Sequence, residues 1–125
     1  MPTGDLAVLT GSGWDTSLGK QLTAFQTIAY AAAITPALAF GDQSVSIGAL
    51  TGAITINAAT NPPATGRTVT FHLVQDGTGG RTPTWNAAYK GATLTGSGTA
   101  NQKAMVTFRY DGANLVQVSS TGWYT

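Results

Sequence analysis

Short stretches in which apolar and polar residues alternate, each cut off by turn-forming residues, most constrain what this chain can become. Thr68 to Gln75 sets Val69, Phe71 and Leu73 against Thr70, His72 and Val74. Ser44 to Ile47 alternates in the same way and runs on to Leu50; after Thr51-Gly52 the pattern resumes over Ala53 to Asn57. A period of two belongs to a pleated strand, whose successive side chains leave opposite faces, and does not line one side of a helix. The two segments around Thr51-Gly52 read as strands joined by a tight turn.

The remaining elements follow from punctuation. Gln26 to Ala31 reads as a strand, and Ile34-Thr35-Pro36 ends that segment. Ala58 to Gly66 carries Asn61-Pro62-Pro63; two residues without a backbone donor exclude a central strand, so this is a surface loop. Asp76-Gly77-Thr78-Gly79-Gly80 is the strongest turn signal, because glycine permits positive φ and an aspartate accepts bonds from nearby amides. Arg81 is expected to reach back to Asp76 or to turn carbonyls. Thr82 to Trp85 reads as an edge strand and Tyr89 to Leu94 as another, broken at Gly96-Ser97-Gly98. Ala104 to Tyr110 and Leu115 to Ser119 flank Asp111-Gly112-Ala113-Asn114 and read as a hairpin.

Many short strands and no sustained helical period predict an all-β fold, an antiparallel β-sandwich of jelly-roll type over residues 24–125. Its expected core is Ile28, Ile34, Leu38, Val45, Ile47, Leu50, Ile54, Ile56, Val69, Phe71, Leu73, Val106, Phe108, Leu115 and Val118. Residues 1–23 are glycine-rich with scattered large apolar side chains and read as an N-terminal arm. Leu18, Leu22 and Phe25 have helical spacing there, whereas Thr23, Thr27 and Ile28 favour strand, so the arm's conformation stays open.

Composition narrows function. In a chain of 125 residues only 9% are charged, against about a quarter in an average soluble domain. A surface this neutral lacks the repulsion that keeps molecules apart, and predicts an oligomer or a covering partner, the alternative being a stable extracellular monomer. The six basic residues are dispersed, which argues against nucleic acid as a partner. There is no cysteine, hence no disulfide and no thiolate metal site. Met1 to Asp5 lacks the basic start of a secretory signal, and Ile28 to Phe40 is interrupted and too short to cross a bilayer. Synthesis in the cytoplasm and no membrane contact are expected.

The acid–base inventory is thin: one histidine, no glutamate and five aspartates. Asp76 and Asp111 lie in turns, where hydrogen bonding to the backbone accounts for them. His72 lies mid-strand and reads as a packed or solvent-facing side chain rather than a base or ligand. Asp76 to Arg81 lacks the Gly-Lys-Ser/Thr and the helix start of a phosphate loop. Neither a nucleophilic triad nor a local cluster of metal ligands is visible, so no catalytic, cofactor or metal residue is assigned. The expected structural turn residues are Asp76, Gly77, Gly79, Gly80, Arg81, Asp111 and Gly112. Candidate interface residues are Trp14, Leu18, Leu22, Trp123 and Tyr124, with aromatic rings as core edge or as anchors for a partner.

Ile34-Thr35-Pro36, Leu50 to Ile56, Gln75 to Trp85 and Phe108 to Asn114 occur in an order and spacing that resemble a β-domain of tailed-bacteriophage virion proteins, among them tail-fibre and head-associated proteins. The resemblance covers about Gln26 to Val118, and its most specific part is the run from Gln75 to Trp85. It implies an architectural β-domain, often assembled about a threefold axis, and carries over no catalytic residue. The leading expectation is therefore a non-enzymatic virion protein, a homotrimeric capsid decoration protein that cements the major capsid protein lattice. The alternative is a tail-fibre or tail-tip protein that binds a host receptor or glycan through loops such as Ala58 to Gly66. A cell-wall hydrolase ranks last, because no pair of carboxylates is marked.

Overall fold

The computed structural model describes residues 25–38 and 43–125. Among them there is no helix, and nine strands form two sheets: β1 (Phe25–Ile28), β2 (Ala33–Ile34), β3 (Gln43–Ile47), β4 (Ile54–Ile56), β5 (Thr68–Val74), β6 (Pro83–Trp85), β7 (Tyr89–Lys90), β8 (Lys103–Tyr110) and β9 (Leu115–Ser120). The larger sheet runs β1-β3-β5-β8-β9-β7 and the smaller β2-β4-β6.

The all-β expectation agrees with this; the antiparallel jelly roll does not. β1, β3 and β5 lie parallel side by side, and so do β2, β4 and β6. The chain alternates between sheets, so β1–β2, β3–β4 and β5–β6 are successive coils of a solenoid-like stack. The expected tight link at Thr51-Gly52 is a corner between sheets, because β3 and β4 pair with neighbouring coils and not with each other. The corners stack as well: Gly48 donates its N–H to the Ile28 carbonyl at 2.9 Å and Leu50 to the Val74 carbonyl at 2.8 Å. After the third coil β8 turns antiparallel to β5, and β9 follows as its hairpin partner.

Alternation then fills the space between the sheets. Val45, Phe71 and Val106 are neighbours across β3, β5 and β8, and each is fully buried against Ile54 and Ile56 of the smaller sheet within one core. Phe71, Phe108, Trp85 and Tyr89 meet with ring centroids 5.1–5.8 Å apart, mostly edge to face. Burial of each phenylalanine contributes about 1.5–3 kcal/mol, and such ring pairs add about 0.5–1.5 kcal/mol.

Thirteen of the expected core residues are buried and Ile28 is half-buried, but Val118 is 54% exposed. The β8–β9 register slips between Thr107 and Phe108, so that Phe108 faces Gln117 and Thr107 faces Ser119. Val118 is the extra residue of this bulge, and alternation fails there. Tyr89, Leu94 and Ala104 join the core in addition. The expected strand from Tyr89 to Leu94 is confined to Tyr89–Lys90. Residues 1–23, with the arm, Trp14, Leu18 and Leu22, lie outside the described residues.

Candidate functional site

Two Asp-Gly turns shape the ends of the strands. In the first, Asp76 Oδ1 accepts from the N–H groups of Thr78 at 3.1 Å and Gly79 at 2.9 Å, and Oδ2 pairs with the Arg81 guanidinium at 2.9 Å. Arg81 beside it, then the Gly79 amide, hold the Asp76 carboxyl down at about 2, against the resistance of partial burial. Gly79 has φ +74°, and a Cβ there would overlap the backbone of Thr99 and Ala100. Gly77 has open space around it, and Gly80, at φ +77°, donates its N–H to the Gly98 carbonyl at 2.7 Å.

Gln75 completes this turn from below. It is buried, its Nε2 donates to the Arg81 carbonyl at 2.8 Å, and its Oε1 accepts from the Arg81 N–H at 3.0 Å. Sequence reading passed over it, although it continues the inward parity of Val69, Phe71 and Leu73. A polar residue in an inward position marks a buried group with a bonding task.

In the second turn Asp111 Oδ1 accepts from Ala113 at 2.8 Å and Asn114 at 2.7 Å, and Gly112 has φ +103°. The Asn114 and Ala113 amides, in that order, lower its carboxyl below the usual range, opposed by partial burial. The loop after β4 docks here: Gly66 donates to the Tyr110 carbonyl at 2.7 Å, and Thr65 lies against Gly112.

Trp123 and Tyr124 are half-buried against their own chain. Trp123 stacks over Gly98 and donates its indole N–H to the Gly96 carbonyl at 2.8 Å, while Tyr124 bridges Lys103 through the backbone. His72 lies half-buried on the outer face of the larger sheet, between Ser46 and Met105. Among the described residues no three His, Cys, Asp or Glu side chains gather into a metal-sized group. Among the described residues no helix is long and apolar enough to cross a membrane.

The turns between strands leave two hollows on either side of Asn86 to Ala88. The larger, about 390 Å³, lies between β6 and the Gly91–Thr95 segment, above the aromatic cluster. The Trp85 indole N–H pins that segment by donating to the Leu94 carbonyl at 2.9 Å. The smaller, about 120 Å³, lies between Ala58, Ala59 and Pro62 of the loop and Ala113 to Leu115 at the end of the hairpin turn. Ala87 lines the first and its immediate neighbour Ala88 the second. Among the described residues that line the two hollows none is charged, and neither holds an acid–base pair.

Residues 34–115, well over half of the chain, match the model of the family described as "Putative phage tail fibre C-terminal domain". No curated protein matches the chain. The match spans the second strand of the first coil, both complete coils after it, the Asp76 turn and the hairpin turn at Asp111, the same segments on which the resemblance to virion β-domains rests. By that match the chain belongs to the phage tail fibre C-terminal domain family and is a phage virion structural protein.

Proposed function

We propose that this chain acts, without catalysis, as a receptor-contacting domain of a bacteriophage tail fibre, assembled as a homotrimer. The family match over residues 34–115 carries the reading and favours the tail over the capsid lattice of the leading sequence expectation. Geometry supports a contact function. The braced turns at Asp76 and Asp111 fix loops on a stacked-strand scaffold, and fixed loops spend little entropy on binding. The trimer is supported by the outer face of the larger sheet, where Ser44, Ser46, Thr70 and Thr107 alternate with His72 and the 41% exposed Met105. Lys103 and Arg109 stand at the two ends of this face on β8, and the uncharged patch between them suits self-association.

Adsorption provides the test. Purified chain is expected to sediment with cells of the bacterium the phage infects and to slow phage adsorption in competition. Sedimentation with tail-less capsids and not with cells would overturn the reading in favour of capsid decoration.

A further inference from the structure

The two hollows beside Asn86 to Ala88 share a chemistry that selects one class of ligand. Ile54 donates to the Thr82 carbonyl at 3.1 Å and Asn86 to the Ile56 carbonyl at 3.0 Å. In a parallel ladder this turns the backbone groups of Thr84 toward β4 and leaves the Trp85 N–H, the Trp85 carbonyl and the Pro83 carbonyl on the free edge of β6. Proline withholds the remaining donor, so the edge is too poorly provided to extend the sheet with another strand. The hydroxyls of Thr82, Thr84 and Thr95 bond to no described residue, and Asn86 engages its Oδ1 with the Ala88 N–H at 2.9 Å while its amide NH₂ has no described partner.

Neutral donors and acceptors therefore crowd one wall, in a hollow whose volume lies within the roughly 300–1,000 Å³ range of small-ligand sites. An anionic ligand would lack a cation to pair with and a cationic one a carboxylate. The smaller hollow is different in kind. Ala58, Ala59, Pro62, Ala88 and Leu115 make most of its lining apolar, with Tyr110 and Asn114 beside them, and its smaller volume suits a methyl-bearing group.

We infer that the hollows form one groove for an uncharged saccharide, with ring hydroxyls against Thr82, Thr84 and Asn86 and a methyl-bearing substituent, N-acetyl or 6-deoxy, beyond Ala88. This rests on the receptor-contacting reading and names its ligand class. The walls are held before any ligand arrives: Leu115 donates to the Ala88 carbonyl at 3.0 Å and the Tyr89 hydroxyl to the Asn57 carbonyl at 2.8 Å. A fixed groove loses little entropy on binding, and copies of it in one assembly reinforce one another along a polymer.

The test uses the full chain, an array of neutral, N-acetylated, 6-deoxy, sialylated and sulfated oligosaccharides, and whole host cells in parallel. Retention is expected on neutral glycans bearing N-acetyl or 6-deoxy groups and not on the acidic ones. Thr84→Val keeps the β-branched shape of the exposed strand position and removes one hydroxyl; it is expected to weaken retention about tenfold, the loss of one hydrogen bond. Ala87→Trp fills the exposed rim of the larger hollow and is expected to abolish retention. Cell binding that survives both variants, or that is lost on protease treatment of the cells and not on glycosidase treatment, overturns the groove and leaves the receptor reading standing. Preference for the acidic glycans overturns it as well. Absence of any cell binding by the unaltered chain overturns the receptor reading itself.

Discussion

The stacked coils from β1 to β6 and the hairpin of β8 and β9 obey the same alternation but are assembled by different means. In the hairpin a four-residue turn brings Tyr110 opposite Leu115, and the register is settled locally by Asp111, whose carboxylate accepts two amides. In the coils Val45 meets Phe71, and nothing near either residue says so. Their register depends on corners such as Gly48 to Ala53 and on packing between sheets. The coils should therefore be sensitive to the core and the hairpin to its turn.

Phe71 is where the two regions meet, since it pairs with Val45 of a coil and Val106 of the hairpin and lies at the centre of the aromatic cluster. Phe71→Ala is expected to destabilise the fold by about 3–5 kcal/mol, the range for a buried aromatic truncated in a core. Chemical denaturation checks it. A loss under about 1 kcal/mol would mean that the two regions do not share one core.

The glycines of the two Asp-Gly turns sharpen the contrast. Gly79→Ala forces a side chain into a positive φ and into the backbone at Ala100, whereas at Gly112 a Cβ would lie 3.3 Å from the Thr65 hydroxyl, which can rotate away. Backbone strain of this kind costs on the order of 1–3 kcal/mol. Gly79→Ala is expected at or beyond the upper end and Gly112→Ala near the lower, measured as denaturation midpoints. Equal losses would contradict the view that the coil corner is the more tightly packed turn.

Two buried glutamines make a finer comparison within the coils. Gln75 satisfies both backbone groups of Arg81, while the Oε1 of Gln43, also buried, has no partner among the described residues. Gln75→Leu leaves the Arg81 groups short of partners and is expected to cost about 1–3 kcal/mol. Gln43→Met removes an unmatched acceptor and is expected to be neutral or stabilising by thermal melts.

These differences also mark what a reader of the sequence can and cannot recover. Which face of each strand is inward was legible from Val45, Ile47, Val69, Phe71 and Leu73, because parity is a local property. The hairpin was legible because its turn carries its own register. The parallel pairing was not, since partners 19–29 residues apart in the chain leave no local sign of one another and the same alternation suits a jelly roll. Val118 misled because a bulge resets parity without a local signal. The hollows escaped notice for the same reason as the coils: their walls come from the loop after β4, the β6 edge and the hairpin turn, which only the stack brings together.

Acid provides the last and smallest test. Arg81, then the Gly79 amide, lowers Asp76 to about 2 from the ordinary 3.8, and the Asn114 and Ala113 amides lower Asp111. A carboxylate whose folded pKa is depressed contributes stability that is complete above its unfolded pKa and is lost as pH falls through the folded one. Melting temperature is therefore expected to fall between about pH 4 and pH 2, and Asp76→Asn and Asp111→Asn should each flatten part of that fall. The two turns should part company in salt. Asp76 has a guanidinium partner, whose attraction molar salt screens within about 3 Å, whereas Asp111 is held by backbone amides alone. At 1 M salt the Asp76→Asn difference is expected to shrink and the Asp111→Asn difference to persist. Equal salt sensitivity would mean that the ion pair adds nothing to the coil corner beyond what the amides supply.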